Sequence, residues 1–232
     1  MTALLSAEHL SVLATTAACA VAAVVSARRW PGFWNETGCG VLALLLVATE
    51  LSWWGFLLSR GLRTFDFAAA LPLQLCDMTI IVAALALWLR RPILIEITYF
   101  WALAGSTQAM LTPDLPQHFP SFLFFQYYVA HGGVVVAALV LVAGLHFAPR
   151  RGAVLKVALV TIAYAAFVGL VDAATGANYM YLRSKPSNPT PLDLFGPWPL
   201  YLAPATLVGV ALFWILDLPF RLRGRHVARG PA

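Results

Sequence analysis

The chain has 232 residues, of which 61% are hydrophobic and 11% are charged, and its formal net charge is +5. Soluble domains contain about 45–50% apolar and about 25% charged residues, so this composition, with a mean hydropathy of +0.80, excludes a water-soluble globular protein. The cations lie at the ends of apolar stretches and form no groove-filling basic patch, which argues against nucleic-acid binding.

Seven apolar stretches are each about as long as one bilayer crossing. In chain order they are 6–26, 38–58, 68–89, 92–112, 122–146, 153–174 and 198–218. We therefore predict an all-α polytopic membrane protein, a bundle of seven transmembrane helices in which residues 1–232 form a single transmembrane domain. The first stretch is interpreted as a retained helix rather than a cleaved signal, because no charged segment precedes it and no Ala-x-Ala site follows it.

Seven crossings place alternate connections on opposite sides of the membrane. One side then carries Arg28, Arg29, Arg90, Arg91, Arg150, Arg151, Lys156, Arg221, Arg223, Arg225 and Arg229, and the other carries Arg60, Arg63, Arg183 and Lys185. Cytoplasmic loops are enriched in Lys and Arg. The excess of cations on one side predicts an outside N-terminus and a cytoplasmic C-terminus.

Polar residues at membrane depth are costly and mark functional sites. By helical rise, Cys76 and His131 lie about 12 and 13 Å below the predicted outer surface, on the third and fifth helices. Gln108 and Asp172 also fall in the outer half, and Glu50 falls nearer the midplane. Further polar residues near this depth are Gln74, Asp77 and Gln126. The long connection 175–197, predicted to lie outside, is a candidate lid or binding element and contains Asn178, Tyr179 and Tyr181.

The convergence of a thiol and an imidazole at one depth indicates nucleophilic chemistry, because His is the commonest base that activates a Cys. Other interpretations remain open. A free Cys is usually a small buried apolar residue, and a His or Asp often joins helices by hydrogen bonds. The polar residues also suit a proton or ion pathway. A metal site has little support, because neither HxxxH nor CxxC spacing occurs, and Cys19, Cys39 and Cys76 are too few for a disulfide framework.

Several short motifs resemble a known family along nearly the whole chain. They are Ser6–Leu10, Leu71–Asp77, Phe125–Gly132, Asn178–Leu182, Lys185–Pro186 and Leu194–Pro199. With these motifs the chain resembles the bacterial YwaF-type integral membrane family, which is similar to the eukaryotic transmembrane protein 164 family. Members of the latter are described as cysteine-dependent acyltransferases that move acyl chains between ether phospholipids.

The resemblance implies a multi-pass protein of the bacterial inner or plasma membrane that acts on membrane lipids, with Cys76 as catalytic nucleophile and His131 as its partner. The leading hypothesis is a lipid acyltransferase or acyl hydrolase that works through a Cys76 thioester, without a cofactor. Gln74, Gln108 and Gln126 are candidate oxyanion donors, Asp77 or Asp172 would orient His131, and Asn178, Tyr179 and Tyr181 would contact substrate. One rival is a transporter or ion relay that uses Glu50, Asp77, His131 and Asp172. A second is a ligand-binding membrane module without catalysis.

Overall fold

The structure is a computed structural model that describes residues 6–60, 70–186 and 190–227, with side chains up to Leu222 in the last helix. These ranges contain seven helices and no strand. They are α1 (Ala7–Arg29), α2 (Pro31–Ser59), α3 (Leu75–Leu89), α4 (Pro92–Trp101, continued by Ala102–Ser106 and Thr107–Leu111), α5 (Phe122–Gly144), α6 (Ala153–Thr175) and α7 (Leu202–Val227). One π turn lies in each of α2, α4 and α5. The prediction of an all-α, seven-helix membrane protein is confirmed.

Five of these helices are long and apolar enough to cross a membrane. They are α1, α2, α5, α6 and the part of α7 from Leu202 to Leu222. Which end faces the cytoplasm stays a prediction, and two of the cations on which it depends, Arg63 and Arg229, lie outside the described residues.

Helix α3 is shorter than predicted. It begins at Leu75 instead of residue 68, after the non-helical residues 71–74, and residues 68 and 69 lie outside the described ranges. Pro72 explains the difference, because proline lacks an N–H group and disfavours a helical conformation in the residue before it. A helix of 15 residues covers about 22 Å, against about 30 Å for the hydrocarbon core. With Arg90 and Arg91 at one membrane surface, as predicted from the sequence, a helix of this length would begin within the apolar layer.

Two other boundaries also differ from prediction. Helix α2 begins at Pro31 rather than residue 38, because proline fits the first turn of a helix, where its missing N–H is not needed. Helix α7 begins at Leu202 rather than residue 198, since residues 198–201 form a turn, and it continues beyond residue 218 with Pro219 inside it.

The chain forms two compact units, Met1–Phe147 with α1 to α5 and Ala148–Ala232 with α6 and α7. The prediction of a single domain stays a prediction. Hydrogen bonds define the two ends of the first unit. At one end, the Phe119 N–H donates to Glu8 Oε1 at 2.6 Å. At the other, Arg28 Nε donates to the Ala143 carbonyl at 2.9 Å, and Arg90 donates to the Asn35 carbonyl. We call these the Glu8 end and the Arg28 end.

Glycines let helices of the first unit approach closely. A Cβ added to Gly144 would lie 2.7 Å from Ala27 Cβ, and one added to Gly133 would lie 2.8 Å from Leu46 Cδ2. Helix α5 therefore packs against α1 and α2 only because these positions carry no side chain.

Gly144→Ala is expected to destabilise the protein by about 1–3 kcal/mol, since the new methyl group overlaps a short side chain that cannot rotate away. Gly40→Ala is the matched control, because nothing lies within 4 Å of the added Cβ, and it should stabilise α2 by up to about 1 kcal/mol. Thermal unfolding in detergent measures both. Equal melting temperatures for the two variants would contradict the packing argument.

Candidate functional site

Cys76 and His131 lie at one level of two helices that are in contact, α3 and α5. Cys76 is fourteen residues before Arg90, and His131 is twelve residues before Ala143, so both lie about 18–21 Å from the Arg28 end. Cys76 is half-buried and occupies the first turn of α3. The N–H groups of a first helical turn have no partner within the helix, and together with the helix dipole they stabilise a nearby negative charge.

His131 is buried and held by its own helix. Its Nδ1 lies 2.8 Å from the Tyr127 carbonyl oxygen, and the two rings lie 4.2 Å apart. A carbonyl can only accept a hydrogen bond, so Nδ1 carries the proton and Nε2 carries the lone pair. Tyr127 is fixed in turn, because its hydroxyl donates to the Ala109 carbonyl of α4 at 2.8 Å. The Tyr127 backbone carbonyl thus orients the ring through Nδ1. The prediction that Asp77 or Asp172 orients His131 stays a prediction.

No hydrogen bond joins the Cys76 thiol to the His131 ring within the described part of the chain. Catalytic hydrogen bonds are often long in a protein without substrate and tighten when the complex forms. The prediction that these two side chains act together stays a prediction.

Asp77 follows Cys76 in the chain, and a second carboxyl group, that of Glu50, interacts with Asp77. The Asp77 carboxylate accepts the backbone N–H of Gln74, the residue before the first turn, which is half of a helix-capping arrangement. Glu50, on α2, is only 8% exposed and interacts electrostatically with Asp77. Neither oxygen of Glu50 has a hydrogen-bond partner of good geometry in the described ranges, and the Trp54 side chain, one turn further along its helix, interacts with the carboxyl group.

The three glutamines proposed as oxyanion donors differ in their surroundings. Gln74 is half-buried and precedes the first turn of α3, two residues from Cys76. Gln126 is also half-buried on α5. Gln108 is exposed, and its amide donates to the Thr112 hydroxyl at 3.2 Å. Gln74 is therefore the glutamine closest in sequence to the thiol.

The second unit contains Asp172 and the predicted substrate loop. Asp172 is buried, and its Oδ1 accepts the Tyr179 N–H at 2.9 Å. The Asn178 amide donates to the Ser184 carbonyl and hydroxyl, and its oxygen accepts the N–H groups of Arg183 and Ser184. These bonds build the loop itself. The prediction that Asn178, Tyr179 and Tyr181 contact substrate stays a prediction.

Comparison with protein families identifies the chain. The sequence profile of the TMEM164 family matches residues 4–217, a range that includes Cys76, His131 and Asp172. The chain belongs to the TMEM164 family. No curated protein and no solved structure matches it. Membership indicates that this TMEM164 family member is a multi-pass membrane protein.

Sequence reasoning missed two features of this TMEM164 family member. One is a cavity of about 860 Å³ between α1, α2 and α5, which neither Cys76 nor His131 lines. The other is Asp217, which is buried on α7 and binds Arg221 through both oxygens at 2.6 Å. The spacing of an Asp four residues before an Arg signals the ion pair, but the cavity depends on packing that no local pattern encodes. No group of three or more His, Cys, Asp or Glu residues suited to a metal ion occurs among the described residues.

The loop before α7 of this TMEM164 family member contains a pH-sensitive contact. The Thr190 N–H, which donates to Asp193 at 2.8 Å, holds the pKa of that carboxyl below its usual range, and the Lys185 ammonium at 3.5 Å adds to this. In the folded protein the pKa of Asp193 lies below the unfolded-state value of about 3.9, so the contact stabilises the loop at pH values above about 3.9. This stabilisation is lost as the pH falls through the folded-state pKa.

We expect the Thr190 amide to exchange its hydrogen faster, relative to its intrinsic rate, at about pH 3 than at pH 6. The Asp193→Asn variant should show fast exchange at both values. Hydrogen-exchange mass spectrometry measures this, and protection that does not change with pH in the parent chain would contradict the assignment.

Proposed function

We propose that this TMEM164 family member is a membrane-embedded lipid acyltransferase or acyl hydrolase in which Cys76 is the nucleophile and His131 is the base. Nε2 of His131 takes the thiol proton, and the thiolate attacks the carbonyl carbon of a lipid ester. A thioester forms on Cys76, and the leaving alkoxide takes the proton from His131. A second lipid hydroxyl, or water, then gives its proton to Nε2 and releases the acyl group from the sulfur.

The observation that carries this proposal is the fixed orientation of His131 beside the Cys76 helix. Because Nδ1 donates to the Tyr127 carbonyl, the nitrogen that remains is the one able to accept a proton, at the level of the thiol. The first turn of α3 supports the attack on the ester carbonyl, because N–H groups of a first helical turn can stabilise the oxyanion that develops there. Gln74 is the side chain best placed in sequence to add a donor.

A labelled phospholipid tests the proposal. The purified protein is incubated with a phospholipid whose acyl chain carries an alkyne, then denatured and coupled to a dye. We expect a protein-bound label that hydroxylamine removes, as a thioester requires, and that disappears in Cys76→Ala. Cys19→Ala and Cys39→Ala are the matched controls and should keep the label. A label that persists in Cys76→Ala would contradict the proposed nucleophile.

A second candidate function, a proton relay, is favoured by Glu50. This residue is buried and interacts electrostatically with Asp77, and the polar contact given for its carboxyl group is with the Trp54 side chain of its own helix. Buried carboxyl groups of this kind occur in proton pathways. In proteoliposomes with a pH gradient, a relay predicts that Glu50→Gln abolishes proton flux while Cys76→Ala retains it. The acyltransferase predicts no flux in the parent protein.

A further inference from the structure

The cavity of about 860 Å³ in the first unit is a groove between α1, α2 and α5. Its walls include Glu8, Thr15, Cys19, Leu45, Tyr128 and Val136. We call it the α1–α5 groove. Its lining does not include Cys76 or His131, so the groove is distinct from the proposed catalytic pair.

The length of the α1–α5 groove matches one leaflet of a bilayer. On α1 it extends from Glu8 to Cys19, and on α5 from Phe124 to Val136, so the last residue lies eleven and twelve positions after the first, respectively. Eleven to twelve positions of helix cover about 16–18 Å, and half of the hydrocarbon core is about 15 Å. A single acyl chain of one leaflet therefore fits along the groove. Gly132 and Gly133 form part of its wall, and the side chains of Thr16 and Leu46 pack closely against them.

The Glu8 end of the groove is polar. Tyr128 is only 6% exposed, and its hydroxyl has no hydrogen-bond partner within the described ranges, although it interacts electrostatically with Glu8. A buried hydroxyl without a partner is unfavourable, so this group is suited to donate to a ligand oxygen. Glu8 contributes a carboxylate, which also binds His118 Nδ1 at 3.0 Å. No Lys or Arg lines the groove.

We propose that the α1–α5 groove binds one acyl chain of a phospholipid with an amine-bearing headgroup. The chain lies along the glycines of α5 toward Cys19, the Tyr128 hydroxyl donates to an ester or phosphate oxygen, and the amine lies nearest Glu8. The apolar walls fit the chain, and the carboxylate, in a lining without Lys or Arg, favours a cationic amine over an anionic headgroup.

Photolabelling in nanodiscs tests this site with the full chain. The probes are a phosphatidylethanolamine with a diazirine near the end of one acyl chain and a phosphatidylglycerol with the same chain. We expect the amine probe to label α1 and α5 residues of the groove about fivefold more than the glycerol probe. Equal labelling by the two probes, or labelling spread over all lipid-facing helices, would overturn the proposal.

Two adjacent leucines provide a matched pair of variants. Leu45 lines the groove and is 49% exposed, whereas Leu44 is 60% exposed and does not line it. Leu45→Trp should fill the groove and reduce labelling at least fivefold, while Leu44→Trp should leave it unchanged. Equal labelling in both variants would overturn the site. The site would also be overturned if a second copy of the chain occupied the groove. A Cys19–Cys19 crosslink that prevents labelling by the probe would show this.

Tyr128→Phe separates ligand binding from folding. The hydroxyl has no hydrogen-bond partner among the described residues, so its removal should leave the melting temperature in detergent unchanged. Loss of one hydrogen bond to the lipid should reduce labelling about fivefold. Unchanged labelling would contradict the role of Tyr128. Labelling that persists in Cys76→Ala supports a binding site separate from the reaction, and its loss there would overturn that separation.

Discussion

Replacing His131 with glutamine is expected to lower the rate of acyl transfer about 10²–10⁴-fold, the contribution typical of a positioned general base. Glutamine can still donate from its amide to the Tyr127 carbonyl, so the local hydrogen bond of α5 has a replacement. It has no nitrogen lone pair of comparable basicity, so the Cys76 thiol keeps its proton. The rate of release of the labelled acyl chain to an acceptor lipid measures the loss.

His9→Gln is the matched control for this prediction. His9 is the other buried histidine of the first unit, and its Nε2 lies 2.8 Å from the Met110 carbonyl on α4. Its substitution removes an imidazole of similar burial that no hydrogen bond joins to Cys76 or His131 in the described part of the chain, and should leave the rate within about twofold. Partial rescue of His131→Ala by added imidazole would support a base, because imidazole supplies the missing lone pair. Equal rates for His131→Gln and the parent chain would contradict the mechanism.

Composition and hydropathy predicted the number and order of the helices because each apolar stretch is a local property of the sequence. The start of α3 needed a different signal. Pro72 lies inside an apolar run, so hydropathy alone extends the helix through it, whereas the backbone chemistry of proline ends the helix at that point. The shared depth of Cys76 and His131 was counted from the predicted outer ends of their helices, and the later start of α3 removes one of those reference points. Counting from the Arg28 end instead gives about 21 Å for Cys76 and about 18 Å for His131.

The contacts between helices could not be predicted from the sequence. Tyr127 and His131 are one helical turn apart, so the hydrogen bond between them is local and could be predicted from their spacing in the sequence. The bond from Phe119 to Glu8 joins residues more than one hundred positions apart, and only packing decides that they meet. The α1–α5 groove has the same origin, since three separate helices create it together.

Arg221→Met is expected to destabilise the second unit by about 3–5 kcal/mol, the second large effect. Arg221 binds both oxygens of Asp217 at 2.6 Å, and its Nη2 donates to the Arg150 carbonyl at 2.7 Å. Asp217 is only 3% exposed, so removal of the guanidinium leaves a buried carboxylate without its counter-charge. Unfolding by SDS titration in mixed micelles measures the change in free energy.

The double variant Asp217→Leu/Arg221→Met identifies the cause of this loss. With both charges removed, no carboxylate remains to be desolvated, so the double variant should recover most of the stability lost in Arg221→Met. Lys185→Met is the control for an exposed pair, because Lys185 lies 3.5 Å from an Asp193 that is half exposed, and it should cost at most about 1 kcal/mol. If the double variant is as unstable as Arg221→Met, the loss comes from the Arg150 carbonyl contact rather than from the buried charge. The Asp217–Arg221 ion pair would then form because α7 packs in this position, and it would not itself stabilise that packing.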